Sequence, residues 1–91
     1  MSAAQIRITT HDTPPADSPA DTVVVDCTNP SLDLHGHRRD IDDRATAGQR
    51  RIDVLAHGPA ADVAQAVARL TTDLTALDHY VTHHRHIPQE G

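Results

Sequence analysis

A short apolar run, Ile52-Asp53-Val54-Leu55-Ala56, breaks at His57-Gly58-Pro59 into a long segment carrying Val63, Val67, Leu70, Leu74 and Leu77. Steps of four, three, four and three put those five side chains on one face of a helix. Gly58 suits the N-cap and Pro59 the first helical position, and Asp62 in the first turn complements the dipole, so a dominant helix is expected over about residues 59–78. Strand, tight loop and helix in this order restrict the chain to the α/β class. The same unit is a frequent seat for anions, because first-turn N–H groups point at whatever lies over the loop.

The other segments supply the rest of a sheet. Gln5 to Thr9 alternates with period two and reads as a half-buried first strand near an edge. His11 to Asp21 holds Pro14, Pro15 and Pro19 and reads as a connecting loop with at most one helical turn. Thr22-Val23-Val24-Val25-Asp26 is a continuous β-branched run, the pattern of a strand covered on both faces and hence the expected centre of the sheet. Asn29-Pro30 marks a turn. Leu32 to Gly48 is polar, with Leu32, Leu34 and Ile41 as its only large apolar residues, and is compatible with a helical turn, a weak hairpin or a disordered loop. Tyr80 to Ile87 closes the fold as a fourth strand, with Val81 and Ile87 on one face. The expectation is one α/β domain over 1–91, with a small four-stranded, mainly parallel sheet and one dominant helix.

The core of such a domain is thin. The 91 residues include 18 Ile, Leu and Val, one Tyr and neither Phe nor Trp. Each buried aliphatic side chain contributes roughly 1.5–3 kcal/mol, most of which chain ordering cancels, so self-association into a homo-oligomer is expected. All eight basic residues are Arg and the net charge is -5, which argues against a general nucleic-acid coat and leaves RNA binding open. Cys27 is the only cysteine, so no intrachain disulfide forms. No apolar run has the length of a signal core or a membrane span, and a cytoplasmic, membrane-free protein is expected.

Asp26-Cys27-Thr28-Asn29-Pro30 and His84-Arg85-His86-Ile87, joined through the strand, loop and helix between them, are similar to motifs of the C-terminal domain of the RNase-adaptor RapZ family. Its members read Asp-x-Arg and Asn-Pro after the second strand, Gly-Cys-x-Gly-Gly-x-His-Arg-Ser-Val after the third, and His-Arg at the last. Here Val63 stands at the Val of that loop, and His84-Arg85 falls at the family's spacing from it. Three departures stand out: Thr28 replaces the expected Arg, Ala60 and Ala61 replace the loop His and Arg, and the insert after Asn-Pro is mostly missing between Ser31 and Gln49. The resemblance implies a non-enzymatic, standalone domain that binds a phosphorylated amino sugar through what remains of the pocket: Asp26, Asn29, His57, Gly58, His84 and Arg85. Loss of both loop cations implies weak binding of a phosphorylated small molecule, between the helix start and His84-Arg85.

Read from the residues alone, the same positions have plainer roles. The Gly58 loop can be an ordinary helix start, and Arg85 can bind an anion or pair with a surface aspartate. Eight histidines, among them His35, His37, His79, His83, His84 and His86, invite a metal, but no Cys or carboxylate recurs at a ligand interval, and neither a metal nor a cofactor is expected. Cys27 reads as a small core-edge residue, and no nucleophile is spaced with a general base. The Arg38-Arg39 and Arg50-Arg51 pairs bracket Asp40, Asp42 and Asp43 and suggest local charge pairing. Two further functional readings stand beside the degenerate phosphosugar site: a protein-interaction module that keeps the fold without a ligand, and a histidine-dependent metal binder.

Overall fold

The computed structural model describes residues 3–13 and 21–85, the latter without the side chain of Arg85. Four strands, β1 (Gln5–His11), β2 (Val23–Asp26), β3 (Arg51–His57) and β4 (Tyr80–Arg85), form one sheet of order β2-β3-β1-β4. Every strand pair is parallel. Among the described residues the sheet is joined by two helices, α1 (Leu34–Thr46) and α2 (Ala60–Ala76). The expected proline loop at 14–20 and the end of the last strand at His86, Ile87 and Pro88 lie outside the described residues.

Lateral strand order differs from expectation. β1 lies inside the sheet between β3 and β4, whereas β2, expected at the centre, is an edge strand of four residues. Alternating polarity reports how many faces of a strand are covered, not how many neighbours it has. Ile6 and Ile8 of β1 are buried while Gln5 and Arg7 are exposed, because among the described residues helices pack on only one face of the sheet. In β2, Val23 and Val25 enter the core and Val24 remains 39% exposed, so its β-branched run is not a sign of two-sided cover.

The chain steps in one direction from β2 through α1 to β3 and from β3 through α2 to β4. Right-handed crossovers then place both helices on the same face, where they pack on each other and on β2, β3 and β4. Between them and the sheet lies the core, including Ile6, Ile8, Val25, Ile41, Ile52, Val54, Leu70 and Leu74. From β1 the chain steps the opposite way, to β2. Neighbouring strands β1 and β3 therefore send their continuations in opposite directions, each past the other's position in the sheet.

α2 buries Val63, Val67, Leu70 and Leu74 as its periodicity requires, together with Ala66. Its start is shifted by one residue: Pro59 is the N-cap and supplies no side-chain oxygen, and Gly58 precedes it. Leu77 is the C-cap and is exposed, because the helical stripe ends at Leu74. α1 occupies most of the polar 32–48 segment, so of the structures its sequence allows the segment adopts a helix. Asp33 caps it by accepting the Gly36 N–H at 3.0 Å, and Ile41 and Ala45 are its buried residues. The charge pairing on this helix joins Arg44 to Asp40 at 3.3 Å, while Arg38 approaches the His35 ring instead of an aspartate. Such an exposed pair contributes less than about 1 kcal/mol.

Both helices end in the same hydrogen-bond pattern with different residues. Gln49 and Gly48 donate back to Arg44 and Ala45, and His79 and Asp78 donate back to Leu74 and Thr75. Both are Schellman motifs, which need a left-handed residue directly after the cap. That residue is Gly48 (φ +104) after α1 but Asp78 (φ +66) after α2. Asp78→Gly should relieve the strained conformation and remove a carboxylate from the negative helix end, stabilising the fold by about 0.5–1 kcal/mol. A urea midpoint unchanged or lowered at constant m would contradict this.

Candidate ligand site at the carboxyl edge of the sheet

The β3-to-α2 loop is tied to both neighbouring strands. Cys27 N–H donates to the His57 carbonyl at 2.9 Å, and Gly58 N–H donates to the His11 carbonyl at 3.2 Å. Gly58 has φ +141, and a β-carbon on it would stand 3.0 Å from Cys27 Cβ and 3.3 Å from Thr28 Cγ2. Glycine is required here for backbone conformation and for space. Its N–H is already used by the chain, and Pro59 has none. Open donors at the loop are therefore those of Ala60, Ala61 and Asp62, ahead of the first helical bond from Val63 N–H to the Pro59 carbonyl.

Beside this loop, on the helix-covered side of the sheet, is a cavity of about 290 Å³. Thr10, His11 and Asp12 line it from the end of β1, Gly58 from the loop and His83 from β4. Its remaining wall is the α2 face of Ala60, Val63, Ala64 and Val67. The Thr10 hydroxyl is buried and lies 3.4 Å from His83 Nε2. The cavity thus sits at the carboxyl end of β1, between β4, the Gly58 loop and the start of α2.

The sequence-derived candidates divide between this cavity and other places. Gly58 lines it. Asp26 and His57 stand opposite each other in the β2–β3 register, with Asp26 Oδ1 3.9 Å from His57 Nδ1, beyond hydrogen-bond reach. His57 Nδ1 is buried and has no hydrogen-bond partner among the described residues. Asp26 Oδ1 instead accepts from the Thr28 hydroxyl at 2.6 Å and the Thr28 N–H at 3.0 Å. These bonds, the hydroxyl first, hold the Asp26 carboxyl below its usual range against partial desolvation, with a smaller electrostatic pull from His57. Asn29 is engaged in its turn, its side chain accepting from Ser31 N–H at 2.9 Å and its carbonyl from Leu32 N–H. Cys27 is buried, and burial followed by Asp26 and Asp62 raises its thiol pKa, the condition of a packing residue.

His84 is not at the cavity. It pairs in register with Thr9 and lines a groove of about 570 Å³ on the sheet face opposite α1 and α2, with Arg7, Arg51, Tyr80 and Thr82. Strand parity explains the difference, since the face that turns Val81 inward turns His83 with it. The same parity along β1 brings Thr10 inward after Ile6 and Ile8. Both cavity residues were therefore legible from alternation alone. The Arg85 backbone stands opposite Thr10 in the register, and its side chain lies outside the described residues.

No family model, curated protein or solved structure matches the chain. The site's chemistry must therefore be read from its own residues. Among the described residues no three His, Cys, Asp or Glu side chains converge as a metal site, and no helix is long and apolar enough to cross a membrane. His79 is a structural residue, bonded to Ala4 N–H and facing Asp42.

Proposed function

We propose that this chain is a non-enzymatic ligand-binding domain, of the kind that the RapZ C-terminal resemblance implies, holding a small anionic molecule weakly in the cavity at the carboxyl end of β1. The observation that supports this reading is the position of the cavity. It lies at the carboxyl end of the parallel sheet, against the start of a 17-residue helix whose N-cap makes no side-chain hydrogen bond. Weak binding follows from the lining: Asp12 is on the rim, Asp62 is in the first helical turn, and no Arg is among the described lining residues.

A thermal-shift panel of small carboxylates, sugar phosphates, nucleotides and divalent metals tests the reading. An anion at ten times its Kd should add about 1.4 kcal/mol, which raises the midpoint of a domain this size by roughly 5–10 °C and fades with added salt. If no anion shifts the midpoint, the reading fails.

A second reading, an interaction module, is supported by the sheet face opposite α1 and α2, which no helix among the described residues covers. Parallel sheets are ordinarily covered on both sides, yet here Tyr80, the only aromatic residue, is 69% exposed on that face. Self-association or partner binding through it needs no cavity ligand. A panel without anion shifts, combined with concentration-dependent sedimentation, would place this reading first.

A further inference from the structure

We infer that two copies of this chain pair antiparallel along the outer edge of β4, joining their sheets into one continuous sheet about a twofold axis. The pairing uses the sheet edge alone and holds whether or not the cavity takes a ligand.

β4 has β1 on one side and no described residue paired on the other. The bond from Tyr80 N–H to the Ala4 carbonyl fixes which of its residues serve β1, namely Tyr80, Thr82 and His84. Val81, His83 and Arg85 therefore turn their backbone N–H and C=O groups outward. Edge strands are ordinarily guarded by short length, by Pro or by charge. The β2 edge has four residues and is flanked by Asp21 and Asp26, whereas the six residues of β4 include no Pro and no acid. Among the described residues three large apolar side chains are exposed, and two of them, Leu77 and Tyr80, stand at the start of β4.

Charge and symmetry select a second copy as the occupant. The chain has a net charge of -5, so two copies repel over most of their surfaces, and β4 is the edge strand that carries no acid. A twofold contact must be self-complementary. With Thr82 opposite itself, Tyr80 stands opposite His84 and Val81 opposite His83, so no like charges face each other at neutral pH. In that register Arg85 falls one position from Asp78 of the second copy, at both ends of the ladder. A register with His83 opposite itself would leave Tyr80 without a partner in the strand. Val81 and His83 lie on the helix-covered side, so Val81 of the second copy comes beside His83 at the cavity margin.

Amide hydrogen exchange of the full chain, with sedimentation velocity over the same concentration series, tests the inference. The amides of Val81 and His83 should gain roughly tenfold protection as the chain dimerises, while those of Tyr80, Thr82 and His84 are protected throughout. Thr82 is exposed, so Thr82→Glu should fold; it sets two carboxylates face to face and should weaken the dimer by about fivefold or more. Thr82→Cys should join two chains by a disulfide under mild oxidation, because directly opposed residues of this kind lie about 4.5 Å apart at Cα. A chain that sediments as a monomer throughout the series would overturn the inference. A dimer whose Val81 and His83 amides exchange as in the monomer would also overturn it and leave association through the sheet face standing. Dimerisation unchanged by Thr82→Glu, or a Thr82→Cys dimer that does not cross-link, counts against it equally. The wild-type exchange pattern decides alone, should either variant not fold.

Discussion

Gly58→Ala is expected to cost about 2–4 kcal/mol. A residue with a side chain at φ +141 is strained by about 1–3 kcal/mol, and the added methyl meets Cys27 Cβ at 3.0 Å. Cys27 cannot easily retreat, because its N–H is bonded to the carbonyl of His57, the residue just before the glycine. A domain of 91 residues has roughly 5–14 kcal/mol of stability, so the loss is a large share of the total. The loop also forms one wall of the cavity, and ligand-dependent stabilisation should disappear in the variant. Urea unfolding at unchanged m measures the first effect. A loss below 1 kcal/mol would show that the loop relaxes without cost, contrary to the geometry.

His79→Leu is expected to cost about 2–4 kcal/mol, although the substitution is apolar and similar in volume. The His79 side chain is 4% exposed and joins segments far apart in sequence. Ala4 N–H donates to Nδ1 at 3.2 Å, and Nε2 lies 3.0 Å from Asp42 Oδ1. A backbone N–H can only donate and a carboxylate can only accept, so the tautomer is set: Nδ1 is bare and Nε2 carries the proton. Leucine would strand the buried Ala4 N–H, at about 1–3 kcal/mol, and remove a charge-assisted bond of comparable worth. Asp42→Asn retains an acceptor for Nε2–H and should cost clearly less than His79→Leu. Equal losses in the two variants would mean that the pair matters only through its charge.

What could be read from the sequence follows from how local each signal is. β3, the Gly58 loop and α2 are contiguous, and their periodicity and loop residues specify them almost without tertiary information. Strand neighbours are a tertiary property, so the Val23–Val25 run could not reveal that β2 lies at an edge, nor the Ile6–Ile8 alternation that β1 lies inside. α1 was obscured because Ile41 and Ala45 are its only buried residues, too few for an apolar stripe; its legible marks were Asp33 as the cap and Gly48 after the end. At the site, Gly58 was accessible through its place between strand and helix. His84 was assigned to the pocket from a two-residue motif, whereas the parity of Val81 assigns His83. Asp26 and Asn29 are spent on their own turns, which residue identity alone does not disclose.

Ligand is expected to enter on the helix-covered side of the carboxyl edge, between β1, the Gly58 loop and α2. During titration with the anion that raises the melting midpoint furthest, amide chemical-shift mapping of the labelled chain tests this most directly. The amides of Thr10, Asp12, Gly58, Ala60 and Ala64 should move together and saturate at one Kd, while those of Arg7, Arg51 and Thr82, beside the groove on the opposite face, remain still. Saturating shifts confined to Arg7, Arg51 and Thr82, with Thr10 and Gly58 unmoved, would contradict it.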